Sequence, residues 1–173
     1  MKKNSLIILG LIFISSVAFL SPNMSSSIAH IDTEYILEKI PAYQDAQAEL
    51  EQLAKQYQDE LIGKKREIDS LWSIYQKEEY NWVKETKKLK EEEIINLEQE
   101  SRDLQKKYFG REGELAQKRE ELIKPIQDNI YTYVVEIAEE GDYDYIFDKV
   151  TGEILYAREK NDESDAILKK LGY

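Results

Sequence analysis

The sequence contains no cysteine, a single histidine and only three prolines in 173 residues. Without cysteine there is no disulfide, no thiolate metal site and no lipid-modified amino-terminal cysteine. With His30 as the sole imidazole, a Ser-His-Asp or Cys-His arrangement has only one residue to be built around. His30 sits in a short apolar segment, where a histidine facing solvent or a neighbour is the plain reading. No glycine-rich phosphate loop is present. Asp142, Asp144 and Asp148 superficially resemble a calcium loop, but the third ligand position is Ile146 and the required glycine is missing. Basic residues number 24 against 35 acidic ones, so nothing here points to nucleic-acid binding, which needs a basic face.

Long apolar runs are equally scarce. The one that exists, Leu6–Leu20, follows Lys2 and Lys3 and precedes Ser21-Pro22-Asn23-Met24-Ser25-Ser26-Ser27. A basic start, an apolar centre and small residues at Ser25 and Ser27 read as a secretory signal peptide over residues 1–27. The run is shorter than the ~20 residues needed to span a bilayer, which argues against its other reading, an uncleaved anchor.

What the chain has in abundance is helix. Between Ala42 and Glu140 there is one proline, Pro125, and three glycines, Gly63, Gly110 and Gly113. Most of the rest are good helix formers. Leu50, Leu53, Tyr57, Leu61, Ile68, Leu71 and Tyr75 mark one stripe; Leu115, Leu122, Ile126, Ile130, Tyr133 or Val134, and Ile137 mark another. That spacing is the helix period. Stripes this narrow must face another helix, as in a coiled coil. Strand-like segments flank the stretch on both sides, so it is predicted to leave and return as an antiparallel hairpin. Equal arms of roughly 75 Å put the tip around Tyr80–Glu92; Gly63 is the rival tip. Gly110 and Gly113 weaken the return helix, and Pro125 removes one of its hydrogen bonds. These three residues are predicted hinges.

The flanks, residues 28–41 and 141–173, form a small body. Ile28–Asp32 and Tyr143–Asp148 read as strands, and Ile154–Ala157 as the hairpin partner of the second. Asp32 or Thr33 caps a short helix closed by Pro41; Gly141 caps the return helix; Ser164 caps a last helix stopped by Gly172. The fold class is therefore α+β, mostly α, with a three-stranded body carrying the arm. So small a core is marginal alone, and its sheet edges need covering. Self-association answers both needs without fixing a subunit number. Ile28, Ile31, Tyr145, Ile146, Phe147, Ile154 and Leu155 are the residues placed at that contact.

Six aromatics lie on the arm: Tyr57, Trp72, Tyr75, Tyr80, Trp82 and Tyr108. Packing between the two helices is one role for them; contact with a bound chain is the other, since aromatic surface gives broad, tolerant contact. Residues 42–88 and 89–124 each hold ten acidic and eight basic residues, while residues 125–173 hold twelve and five. The arms are nearly balanced and the acidity sits in the body.

Taken in order, these pieces resemble a known family, the Skp (OmpH-like) periplasmic chaperones. The amino-terminal end carries the resemblance in Ile28-Ala29-His30-Ile31-Asp32, Ile36-Leu37 and Pro41. The carboxy-terminal end carries it in Glu121-Leu122-Ile123-Lys124-Pro125-Ile126, Ile130, Ile137-Ala138, Gly141 to Asp148, Leu155-Tyr156 and Asp165 to Leu171. The resemblance implies a homotrimer whose strands build a central β body. Three helical hairpins hang from it and enclose unfolded outer-membrane β-barrel proteins without ATP or cofactor. Well-known members have strongly basic arms, suited to acidic clients and lipopolysaccharide. Here each counted arm segment nets −2. A lipopolysaccharide site is therefore not carried over, and apolar and aromatic contact is expected to hold the client. The alternative is an envelope structural or adaptor protein, tethered by an uncleaved amino terminus and docking one partner coil. Membrane contact would come only through clients or that terminus.

Overall fold

The computed structural model describes residues 26–173, so the signal-peptide stretch lies outside the described residues apart from Ser26 and Ser27. Strand β1 (Ile28–Ile31) leads into helix α1 (Thr33–Lys39), and α2 (Pro41–Glu78) runs outward. The return is made by α3 (Lys84–Phe109) and α4 (Glu114–Glu140), followed by β2 (Tyr145–Asp148) and α5 (Ser164–Leu171).

Local chemistry explains most boundaries. The Asp32 carboxylate accepts from the Tyr35 backbone N–H at 2.8 Å and caps α1. Pro41 ends α1 and opens α2, where its missing N–H costs nothing. Gly172 leaves α5 in the left-handed region at φ 91°. Gly141 caps α4 with an ordinary φ of −91°, and the left-handed residue is Asp142. Glycine is needed there for another reason: a Cβ would sit 2.3 Å from the Tyr143 ring. Ser164 is not the cap of α5. Asp162 takes that part, accepting from the Ser164 backbone N–H at 3.0 Å. The Ser164 hydroxyl instead accepts from the Asp32 N–H at 2.8 Å and ties the two ends of the chain together.

The arm turns at Glu79–Val83, through one turn of 3-10 helix and no glycine or proline. Trp82 closes the turn by folding edge-on against Tyr75, with centroids 5.7 Å apart. The arms are not equal. The return is longer because the last turns of α4 belong to the body, where Ile130 and Ile137 are buried. Gly63 lies inside α2, which continues through it, and α4 continues through Pro125.

The body differs from the three-stranded expectation. Among the described residues the sheet has two strands, β1 and β2, paired in parallel from Ile28↔Tyr145 to Ile31↔Asp148. A parallel pair needs a long crossover, and here the entire arm is that crossover. Ile154–Ala157 forms no strand, and Leu155 is 100% exposed. On its other side β1 is joined at one bridge, His30↔Asp162, and the Glu163 N–H donates to the His30 carbonyl at 2.9 Å.

The inner face of β1 is buried at Ala29 and Ile31, and Ile31 joins a core of Ile36, Ile40, Ile130, Ile137, Ile167 and Leu168. Ile36 and Ile167 have no exposed surface. Replacing either by alanine is expected to cost about 2–5 kcal/mol, the sum of lost transfer energy and a residual cavity. Urea unfolding followed by circular dichroism measures it; a loss under ~1 kcal/mol at both positions would place the core elsewhere.

Candidate functional site

The arm is a seam between α2 and its two return helices, and four aromatic–carboxylate hydrogen bonds cross it. About midway along α2 the Tyr57 hydroxyl donates to Glu114 Oε2 at 2.7 Å, and the Tyr108 hydroxyl donates back to Glu60 Oε2 at 2.9 Å. The two rings lie flat on each other, centroids 3.9 Å apart and planes 2° off parallel. Further out, Trp72 Nε1 donates to Glu98 Oε1 at 3.1 Å, and the Tyr75 hydroxyl donates to Glu91.

The six arm aromatics therefore divide. Tyr75 and Tyr108 are buried in the seam, and Tyr57 and Trp82 are half-buried beside them. Trp72 shows 40% of its surface and Tyr80, at the tip, 78%. Val83, Leu89 and Ile95 near the tip are also exposed, as is Phe109 at the end of α3. Sequence reasoning missed these four apolar residues, because they lie between the two stripes used to define the seam, where none was drawn. It also missed the glutamate acceptors. Glu91 and Glu98 stand one heptad apart, which is the available sign that they share a face.

Two of the phenols carry a clear electrostatic mark. The hydrogen bond to Glu114 pushes the Tyr57 hydroxyl up to about 12, and the bond to Glu91 does the same for Tyr75. Tyr108 is raised in the same sense by Glu60. The Tyr57 hydroxyl, followed by Lys107 at 3.2 Å, holds the Glu114 carboxyl below the usual range.

On the body, the sheet's outer face is bare except at His30, which the segment after β2 covers. Tyr145 and Phe147 stack with centroids 6.0 Å apart and are 57% and 47% exposed. Ile28, in register with Tyr145, is exposed as well. Tyr131 and Val135, one turn apart on α4, border a shallow groove that Tyr145 and Ile146 also line. Of the residues placed at a self-contact, Ile31 is buried in its own core, and Ile146 and Ile154 are half-buried. Ile28, Tyr145, Phe147 and Leu155 face outward.

His30 is buried, not solvent-facing. Its Nε2 is 3.2 Å from the Arg158 carbonyl and its Nδ1 is 3.6 Å from Asp162 Oδ2. It fastens the segment after β2 to β1. Among the described residues no three of His, Asp and Glu gather into a metal-binding group.

A raised phenol pKa means the seam bonds are at full strength below pH 10 and are lost as pH rises through about 12. A spectrophotometric titration is therefore expected to show a late-ionising class among the twelve tyrosines. Tyr57→Phe should remove one member of it; uniform ionisation near pH 10 would mean the seam bonds do not persist in solution.

Comparison with known proteins places this geometry. The outer membrane protein (OmpH-like) family matches residues 27–171. No curated protein matches the chain. Among solved structures, the crystal structure of a candidate outer membrane chaperone (OmpH-like) from Caulobacter crescentus CB15 superposes with a TM-score of 0.64. That superposition covers 84% of this chain and 83% of the other at 11% identity, so it speaks for the fold alone. With the family match running from the first residue before β1 to the last residue of α5, the chain belongs to the OmpH-like family.

Proposed function

We propose that this protein is an ATP-independent holdase of the periplasm, which assembles as a trimer and keeps unfolded outer-membrane β-barrel proteins from aggregating in the space between its arms. Family membership supports a chaperone role, and the Caulobacter crescentus protein of like fold is described in the same terms. The observation that carries the reading is the bare aromatic sheet face. Ile28, Tyr145 and Phe147 form an apolar surface on a body whose own core is small. Covering it with further copies bundles the arms at one end and leaves the space between them open. Trp72, Tyr80, Val83, Leu89 and Ile95 are then the apolar groups available to a client. Gly110 and Gly113, and Pro125 further along, are the hinges that would let the arms adjust. The export signal over residues 1–27 supplies the compartment.

The second reading, a tethered envelope adaptor, rests on the apolar run Leu6–Leu20. It requires that run to remain on the mature chain and the arm to dock one defined coil.

Light scattering with and without a urea-unfolded β-barrel client tests both. The holdase reading expects a trimer mass, one captured client per trimer and suppressed turbidity. Tyr145→Asp with Phe147→Asp should give a helical monomer that no longer captures client. A compact wild-type monomer would sink the trimer, and client capture by the doubly substituted monomer would sink the cage.

Charge supplies a separate test. With each arm segment at net −2 and apolar groups at the tip, capture should change by less than about twofold between low and moderate salt, since screening acts on exposed charge. A collapse of binding over that range would make the contact electrostatic.

A further inference from the structure

The return side of the arm is two rods, not one. Between α3 and α4 the chain makes a tight turn over Gly110–Gly113, closed by the Gly113 N–H on the Gly110 carbonyl at 2.9 Å. Only glycine fits at its two ends. A Cβ on Gly110 would lie 2.3 Å from the Lys106 carbonyl oxygen, and one on Gly113 would lie 2.8 Å from three backbone atoms. A turn built this way does not continue the helix, so something else must fix the angle between the rods.

The side chains at the turn do that. Tyr57 of α2 touches both rods: its ring stacks on Tyr108 in the last turn of α3 and meets Phe109 edge-on at 6.2 Å. Its hydroxyl reaches Glu114, the first residue of α4. Tyr108 answers by donating to Glu60, one turn along α2. Lys107 of α3 closes the set on the other Glu114 oxygen and also lies over the Tyr108 ring at 5.2 Å. Tyr57 and Glu114 are only half-buried, so water can compete for these bonds. Across the seam, α2 has its own weak point at Gly63, where an added Cβ would meet nothing within 4 Å. Both sides of the arm thus carry glycine within about two turns of Tyr57, and glycine weakens a helix interior more than any residue but proline.

We infer that Tyr57, Tyr108, Glu60 and Glu114 are a latch that holds the two return rods in line along α2, and that the arm bends at this level when the latch opens. The latch sets how far the distal arm and its exposed apolar tip can swing. Its use in fitting clients of different size rests on the holdase reading; the latch itself does not.

The absence of cysteine allows a clean test. Spin labels at Lys84→Cys, beside the tip, and Lys169→Cys, on the body, report the tip-to-body distance in the full chain, with labelled subunits diluted into unlabelled ones. Tyr57→Phe keeps the ring stack and removes one hydroxyl; Glu114→Gln keeps the shape and removes the charge. Each is expected to broaden the distance distribution about twofold. Amide exchange over residues 108–116 should run roughly five- to tenfold faster, the change in open population that one lost hydrogen bond produces. The double variant should be no broader than the worse single one, because both act on the same Tyr57–Glu114 bond, which Tyr57→Phe removes and Glu114→Gln weakens. Trp72→Phe, which removes a seam bond further out, should leave the width alone. Unchanged width and exchange in both latch variants would overturn the proposal. Equal broadening by Trp72→Phe would overturn it too, as would loss of helix content in Tyr57→Phe. None of these readouts involves a client, so the holdase reading and the latch fail separately.

Discussion

The arm depends on hydrogen bonds from aromatic side chains to carboxylates on the facing helix. Apolar contact alone is too thin to hold it. Along α2 only Ala46, Leu50 and Tyr75 are buried, and along α3 only Ile94 and Tyr108. Two of those five are tyrosines whose hydroxyls are bound across the seam. A hydrogen bond to a charged group contributes ~1.5–3 kcal/mol where water is excluded, and less at the half-exposed positions found here. Four such bonds, spread from Tyr57 to Tyr75, fix the register of the two helices. Exposed ion pairs such as Lys64–Glu100 and Lys118–Glu49 add little to that and mainly keep the outer surface wet.

The body imposes the second constraint. Because β1 and β2 are parallel neighbours, the whole arm is the loop between them, and the base of the arm cannot move freely against the sheet. Ile130 and Ile137 belong at once to the last turns of α4 and to the core around Ile36 and Ile167. Lys149 stitches the same region from outside, reaching Asp32 at 3.1 Å and Asp162 at 3.4 Å. Stiffness at the base leaves the freedom of the arm to be set further out, at the turn between α3 and α4.

Several features could be read from residue types and their spacing. The helical hairpin follows from the stripes on either side of the tip, and the short elements of the body follow from their caps and breakers. What could not be read shares one physical cause: it depends on which neighbour is present. Alternation in Tyr145-Ile146-Phe147-Asp148 fixes the period of a strand but not which face turns inward. The structure turns Ile146 and Asp148 in, where Asp148 accepts from the Thr33 hydroxyl at 2.7 Å, and the aromatics out. Ile154–Ala157 has the composition of a strand, yet in this chain it leaves the free edge of β2 unpaired, and composition does not say whether an edge will be used. The tip carries no glycine or proline because Trp82 and Tyr75 close it by contact, which no local signal announces.

The same dependence on neighbours changes how the acidity of the arms should be understood. Counting residues gives each arm segment a small negative balance and nothing about how its carboxylates are used. Glu60, Glu91, Glu98 and Glu114, however, spend an oxygen each on a tyrosine or tryptophan of the opposite helix. Others are matched along their own helix, as Glu92 is by Lys88 and Glu93 by Lys90. A carboxylate held by a neutral donor keeps its charge, but its position is fixed by the seam and its solvation is shared with a ring. Substituting such glutamates with lysine to build the basic arm of better-known relatives would therefore remove acceptors that hold the hairpin closed. In this chain the aromatic donors and the acidic acceptors form one structural set, and a change in either half alters the shape of the arm before it alters the arm's field.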